Sequence, residues 1–351
     1  MPAKPSIDVV IPVYNAPVLT RRCVDSILAC LKESIGHIYI QDDASNAETR
    51  QMLDQLPYDC VNVHHAKNNQ GFGLSVNEAV SRSRATYVLV LNSDTHVTRD
   101  FLPLLCDALA ADPQLALIIP GGNDYARHDL DQYARAPGGY IRTYRLQGHA
   151  FLIRRRVFEK ISGFDPAFGR GDYEDVDLGR RLDQHGWRLG VHPDACIEHE
   201  GGASFGRGRA FRELVKRNRK LYFSRYPRAR RNILVLSGNC PPQRFPSNLL
   251  CALEKVFHEG GYVHWVSPQP AQRMLCLQMR SYSLGMETVL RLLLRGWRED
   301  KRISELWVLP DAPGLLRALL VSWARVWGLD VSFWDRTEED CASDIAVRDI
   351  E

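Results

Sequence analysis

Short β-prone runs at residues 7–13, 37–41, 61–64 and 87–91 alternate with stretches of helical periodicity, and this alternation limits the fold more than any other feature. The first run, Ile7-Asp8-Val9-Val10-Ile11-Pro12-Val13, is almost wholly apolar, as is Tyr87-Val88-Leu89-Val90-Leu91. Runs without polar alternation read as strands buried on both faces, which is the habit of parallel sheets covered by helices. Residues 17–32 place Leu19, Cys23, Ile27 and Leu31 on one stripe of a helix. Residues 46–56 and 71–82 supply two further helices. A β-α-β-α-β-α-β order predicts a mostly parallel α/β sheet with helices on both faces.

Further along, residues 101–111 read as a helix and 115–119 as a strand. Residues 123–144 have weak periodicity and several Gly and Pro, and read as a mobile surface region or a small hairpin. A strand at 145–153, a short helix at 155–161 and a helix at 174–185 follow. Short strands are expected at 189–192 and 195–199. Composition then shifts: residues 207–231 carry eleven Lys or Arg against one acid, Glu213. The domain boundary is placed just after this stretch, giving a first domain over 1–231. Residues 232–336 restart with a strand at 232–236. Helices at 247–259, 286–297 and 313–327 then alternate with strands at 262–266, 303–309 and 330–334. That pattern predicts a second, smaller Rossmann-like α/β unit. The polar, acidic residues 337–351 read as a disordered tail.

A chain of 351 residues is long enough for two domains that each bury a core. The net charge of +3 is too small to argue for nucleic acid. Nine cysteines without a C-x-x-C pair read as reduced thiols, which favours the cytoplasm. The N-terminus runs straight into a strand and shows no signal-peptide pattern, and no apolar run reaches the roughly 18 residues that span a bilayer.

Candidate chemistry sits at strand ends. Asn92-Ser93-Asp94-Thr95 closes the run at 87–91. A carboxylate at the rim of an α/β sheet stands where such folds bind ligands, and there it can hold a divalent cation that in turn holds a diphosphate. A second acidic cluster, Asp172-Tyr173-Glu174-Asp175-Val176-Asp177, opens the helix at 174–185. A lone histidine, His199, precedes Glu200-Gly201-Gly202. Together these suggest metal-assisted group transfer from a nucleotide-activated donor.

Six segments in order resemble glycosyltransferase family 2. They are the opening strand through Tyr14 and Asn15; Asp42-Asp43-Ala44-Ser45; and Asn69-Gln70-Gly71 with Asn77. They continue with Asn92-Ser93-Asp94, similar to the family's D-x-D element with Asn in the first place. The stretch from Gly148 through Gly163-Phe164-Asp165 to Tyr173-Glu174-Asp175-Val176-Asp177-Leu178 is similar to the acceptor-side block. The last is His199-Glu200-Gly201-Gly202-Ala203-Ser204-Phe205. The resemblance spans roughly residues 6 to 225. It implies a GT-A fold and inverting transfer from a nucleoside diphosphate sugar.

On that resemblance, the nucleobase meets Asp42 or Asp43, by a charge-assisted hydrogen bond from a ring N–H. Pro12, Tyr14, Asn69, Gly71, Asn77, Asn92 and Ser93 complete the donor site. Asp94 and His199 are the expected ligands of Mn2+ or Mg2+; Asn92 offers a carbonyl but no charge. Asp175 is the general base, with Glu174 its main rival and Asp177 a weaker one. Asp165 and Arg170 frame the acceptor, Trp187 stacks on a sugar face, and Arg217 or Arg219 reaches the diphosphate. The donor is expected to be dTDP- or UDP-linked. The acceptor is a glycan or lipid-linked molecule of bacterial surface polysaccharide synthesis. The basic stretch 207–231 is the expected peripheral contact with the inner face of the membrane. Asn232-Ile233-Leu234-Val235-Leu236-Ser237 and the Pro-rich loop after it look like the first strand and loop of a GT-B-type half. Such an enzyme needs two halves and this chain carries one, which leaves docking, acceptor binding or a larger enzyme as its setting. One rival reading is a sugar nucleotidyltransferase, which calls for a Gly-rich, basic phosphate loop near the N-terminus that Pro12-Val13-Tyr14-Asn15 does not offer; the other is a non-catalytic nucleotide- or glycan-binding scaffold. It predicts loss of Asp94 or of the Glu174-Asp175 pair, and both are present.

Overall fold

A computed structural model describes residues 5–126, 128–201, 208–238, 245–294 and 301–334. Two units separate by their packing. The expected tail at 337–351 lies outside the described residues, as do Gly202 to Arg207 and the end of the helix expected at 286–297.

The first unit comprises Met1–His128, Pro137–Tyr140 and Arg145–Tyr222. It opens with β1 (Ile7–Val13), α1 (Pro17–Leu31), β2 (Ile38–Asp42), α2 (Ala47–Asp54), β3 (Val61–His65), α3 (Phe72–Arg82) and β4 (Tyr87–Leu91). Every side chain of β4 and nearly all of β1 are buried, so the apolar runs occupy the centre of the sheet. β1 pairs in parallel with β2 and with β4, and β2 with β3. The buried Asp8 in β1 is satisfied by the His37 N–H and the Ser83 hydroxyl.

The unit continues with β5 (Thr95–His96), α4 (Leu102–Ala111) and β6 (Leu115–Gly122). Beyond β7 (Ile141–Thr143), which belongs to the second unit, come β8 (Ala150–Arg154), α5 (Arg155–Lys160), α6 (Glu174–Gln184), β9 (Arg188–His199) and α7 (Arg209–Arg225). The strand order is β3-β2-β1-β4-β8-β6-β9-β5. The sheet is mixed: β8 runs antiparallel to β4 and β6, and β5 antiparallel to β9. A buried apolar strand reads the same in either direction, so its sense was not legible. The strands expected at 189–192 and 195–199 are one strand, β9, whose ladder with β6 shifts between Pro120 and Gly121. Pro193, which has no N–H to donate, lies in that irregularity. The strand expected at 145–153 begins only at Ala150.

The second unit comprises Asp129–Ala136, Ile141–Tyr144 and Phe223–Glu351. Its strands β10 (Asn232–Leu236), β11 (Tyr262–Ser267), β12 (Met279–Ser283), β13 (Glu305–Val308) and β14 (Asp330–Phe333) form a parallel sheet in the order β12-β11-β10-β13-β14. Helices α8 (Ser247–His258), α9 (Met286–Leu294) and α10 (Gly314–Val326) connect them. Leu234, Leu236, Val266, Leu306, Val308 and Leu320 centre its core. The sequence reading missed β12 because Met279-Arg280-Ser281-Tyr282-Ser283 is an edge strand with little buried face. Of the segment read as mobile or hairpin-like, residues 129–136 and 141–144 are anchored in this unit. The Tyr133 hydroxyl donates to the Met279 carbonyl at 3.2 Å, and the Tyr144 N–H to Gln278 Oε1 at 2.8 Å. Arg142 pairs with Glu254 at 3.1 Å.

Candidate active site

β1 is the strand at which the order of the first sheet reverses, flanked by β2 on one side and β4 on the other. Open α/β sheets bind ligands outside the carboxyl ends of strands at such a point. A cavity of about 470 Å³ lies there. Pro12, Tyr14, Asp43, Asn69, Gly71, Asn92, Ser93, Asp94, Arg170 and His199 all line it, with Phe72 and the α7 residues Phe211 and Leu214 on its apolar side.

The turns that build this rim are stitched together. The Asn15 N–H donates to Ser45 Oγ at 2.8 Å, and the Asn46 N–H to Asn15 Oδ1 at 2.9 Å. Asp43 follows β2, with its N–H on the Val13 carbonyl at 2.8 Å. Its carboxylate accepts from the Gln70 N–H at 2.6 Å and the Gly71 N–H at 2.8 Å. Burial raises Asp43 above the usual carboxylate range, and those two N–H donors oppose the shift. Gly71 has φ +91°, and a Cβ there would stand 2.3 Å from the Arg170 Cα. Only glycine admits that close approach.

Of the two Asp residues offered for the nucleobase, Asp43 lines the cavity and Asp42 does not. Asp42 is fully buried; it accepts from the Ser45 N–H at 3.0 Å and lies 2.7 Å from His65 Nδ1. That makes it a turn-closing residue. Asn77 is likewise away from the cavity. Its amide donates to the Phe164 carbonyl and accepts from the Phe164 N–H, both at 2.8 Å. Arg217 donates to the Phe168 carbonyl at 3.0 Å, Asp165 caps the turn at Pro166–Phe168, and Trp187 is not among the cavity residues.

Asp94 and His199 do meet. His199 Nε2 lies 3.2 Å from Asp94 Oδ1, brought there by the antiparallel pairing of Thr95 with His199. Two residues that the sequence reading did not single out join them. His199 Nδ1 lies 2.8 Å from Asp124 Oδ2, and His149 Nε2 lies 3.2 Å from the same oxygen. The two imidazoles stack with centroids 4.9 Å apart and planes 12° apart. Burial alone would push His199 down, but its hydrogen bonds to Asp124 and Asp94 raise it to about 9. His149, nearly enclosed, is pushed down to about 4 by burial. Asp124 is held below the usual carboxylate range, first by its hydrogen bond with His199.

The residues fit a divalent cation. Asp94 supplies a carboxylate oxygen and His199 an imidazole nitrogen, and the buried Asn92 Oδ1 beside them has no hydrogen-bond partner. Oxygen ligands with one imidazole suit Mn2+ or Mg2+. Asp124 was hidden because it follows Gly121-Gly122 in a stretch without periodicity. The usable signal was its place at a strand end, like that of Asp94.

Asp175 and Glu174 open α6 and do not line the cavity. Asp175 Oδ2 accepts from the Gly148 N–H at 3.0 Å, and Oδ1 from the Val176 N–H at 2.7 Å. Burial raises both carboxyls, and Glu174 further through the charge of Asp175. Glu174 Oε2 is buried without a partner. Burial without a partner favours the protonated form of Glu174, whereas at Asp175 two N–H donors oppose the upward shift. Asp177 is paired with Arg181 at 2.7 Å. The loop before α6 is tied down by Asn218 of α7, whose amide donates to the carbonyls of Phe168, Gly171 and Asp172.

Sheet order and cavity define an α/β unit that takes its ligand across the carboxyl ends of parallel strands, beside a carboxylate–imidazole pair. Residues 8–162, within the first unit, match the family model "Glycosyl transferase family 2", and the mixed sheet of that unit is GT-A-like. Among curated relatives, a pre-mycofactocin glycosyltransferase of Mycobacterium tuberculosis is 28% identical over 214 residues, covering 57% of this chain and 43% of that protein. An N-acetylglucosaminyl-diphospho-decaprenol L-rhamnosyltransferase of the same organism is 40% identical over 62 residues, covering 18% of this chain and 20% of that one. The chain thus spans less than half the length of these relatives. A solved mannosyltransferase from Pyrobaculum calidifontis, in complex with GDP-Man and Mn2+, superposes with a TM-score of 0.50 at 19% identity, covering 65% of each chain. Among the described residues, no helix is long and apolar enough to cross a membrane.

Proposed function

We propose that the first unit transfers a sugar, with inversion, from a dTDP- or UDP-linked donor to a glycan or lipid-linked acceptor in bacterial surface polysaccharide synthesis. The observation that carries this reading is the convergence of Asp43, Asn92, Ser93, Asp94 and His199 on one cavity at the strand-order reversal. Asp43 accepts from a ring N–H of uracil or thymine, with Tyr14 and Pro12 against the base. Asp94 and His199, with the Asn92 carbonyl, hold a divalent cation. When bound, that cation supplies Lewis-acid help at the departing diphosphate. Asp175 takes the proton of the attacking acceptor hydroxyl, a contribution of about 10²- to 10⁴-fold in comparable enzymes. The short similarity to a rhamnosyltransferase of a decaprenol-linked acceptor favours a lipid-linked acceptor and dTDP-rhamnose. The exposed basic face of α7 and the turn after it is the contact with an anionic membrane surface.

The test is a thermal-shift panel of UDP, dTDP, GDP and CMP, each with and without Mn2+. Stabilisation by UDP or dTDP that needs Mn2+ is expected; a nucleotide at a hundred times its Kd adds about 2.7 kcal/mol. Stabilisation by none of them refutes the donor site and favours the scaffold reading.

A further inference from the structure

The segment after β6 grips His199 at three places. Gly122 ends β6 with φ +133°, where a Cβ would stand 2.0 Å from the Ile197 carbonyl oxygen, so the chain is pressed against β9 as it turns. The next residue, Asn123, binds the main chain of His199 on both sides. Its Nδ2 donates to the His199 carbonyl at 2.8 Å, and its Oδ1 accepts from the His199 N–H at 3.0 Å. Asp124 then meets the ring at Nδ1, 2.8 Å away. His149 lies parallel against the ring and 3.2 Å from the same carboxylate oxygen.

A neutral imidazole carries one N–H and one lone pair. In the neutral form that a cation requires, Nδ1–H donating to Asp124 leaves the lone pair on Nε2, the nitrogen that lies 3.2 Å from Asp94. Histidines that ligate metals commonly donate their other N–H to a carboxylate, which sets tautomer and ring orientation. We propose that Asp124 is a positioning residue that holds His199 in the tautomer whose Nε2 faces Asp94 and the cation, and that His149 fixes the plane of that ring by stacking. The proposal rests on the cation reading given above and adds the two residues that make it work. In this reading Asp124 and His149 act from the far side of the ring; the ligand atoms of Asp124, His149 and His199 lie within 4.8 Å of one another, so direct ligation is the alternative that the test separates.

The test is Mn2+ titration followed by the electron paramagnetic resonance of the free aqua ion, with UDP and separately with dTDP present. Wild type is compared with Asp94→Asn, Asp124→Ala, Asp124→Asn and His149→Phe. Outer-shell partners typically cost about 10- to 100-fold in metal affinity when removed, and Asp124→Ala is expected in that range. Asp124→Asn is expected to lose less, because its amide oxygen still accepts from Nδ1–H. His149→Phe keeps a stacked ring and is expected to stay close to wild type. Pulsed measurements are expected to show one imidazole nitrogen coupled to Mn2+ in wild type and in His149→Phe. Melting curves without metal or nucleotide verify that each variant is folded, and the conservative Asp124→Asn keeps the test valid if Asp124→Ala is not. Unchanged Mn2+ affinity in folded Asp124→Ala and Asp124→Asn, with affinity lost in Asp94→Asn, would overturn the positioning role and leave the cation reading standing. Two coupled imidazoles, one lost in His149→Phe, would overturn it in favour of direct ligation. No Mn2+ binding by wild type with either nucleotide would refute the cation reading itself, and this inference with it.

Discussion

Asn77 separates a donor-binding role from a structural one. The family resemblance places it in the donor site, whereas the structure gives both ends of its amide to the backbone of Phe164, at 2.8 Å each. Phe164 is 1% exposed and packs edge-on against Phe72, Phe151 and Phe158. Asn77→Ala removes two hydrogen bonds with a net worth of about 1 kcal/mol each, and strands a backbone N–H and C=O at about 1–3 kcal/mol each where water cannot replace the amide. Partial water access at the half-buried Asn77 brings the expected loss to roughly 2–4 kcal/mol. In a unit of this size that is a melting-point drop of roughly 5–15 °C. Dissociation constants for UDP and dTDP with Mn2+, measured by calorimetry well below the melting point, are expected to change little. Asn77→Asp should also destabilise, since it keeps the acceptor for the Phe164 N–H but faces the Phe164 carbonyl with an oxygen in place of a donor. A tenfold weaker nucleotide affinity with an unchanged melting point would refute the structural assignment and return Asn77 to the donor site.

In metal-free protein, two histidines should give stability a maximum near pH 6.5. His199 is raised to about 9 from 6.5, so its contribution is full below 6.5 and is lost as pH rises through 9; discounted for partial exposure it is about 2 kcal/mol. His149 is lowered to about 4, so stability falls as pH drops from 6.5 through 4. Melting temperature against pH should lose its alkaline limb in His199→Gln and its acid limb in His149→Gln, and limbs of unchanged steepness would refute both assignments. A fragment beginning at Phe223 lacks residues 129–136 and 141–144, and with them the Arg142–Glu254 pair and the Tyr144–Gln278 bond. It is expected to melt without cooperativity until a peptide spanning residues 129–144 is added. A cooperative melt of the fragment alone, unchanged by the peptide, would refute that segment's structural role.

What could be read in the sequence follows the range of the interaction behind it. β1, β4 and β10 were legible because their apolar character is a property of consecutive residues, and β10 has the bounds expected for it. The antiparallel sense of β8 was not, because direction depends on which neighbours a strand meets. Tyr14, Asp43, Asn92 and Asp94 stand where strand-end motifs put them. Asp42 and Asn77 share those motifs but spend their polar atoms on His65, Ser45 and Phe164. A motif names residues that travel together; it does not separate those that face the ligand from those that hold the loop.

The same distinction governs the proposed cation site. Asp94, Asp124, His149 and His199 come from the ends of four strands or the turns beside them. They meet because β5 pairs with β9, β6 pairs with β9, and β8 lies between β4 and β6. Glycines at the end of β6 let Asp124 turn toward His199, and the Gly148 N–H that holds Asp175 immediately precedes His149. The proposed base and the proposed cation ligands are therefore supported by adjacent residues of one segment, 148–149. A change at Gly148 should be felt first at Asp175: a Cβ there would stand 3.1 Å from the Asp175 Cβ, so Asp175 or the segment carrying His149 must shift by a few tenths of an ångström. If both proposals hold, the acid–base group and the cation site are coupled through the backbone position of Gly148, a residue without a side chain of its own.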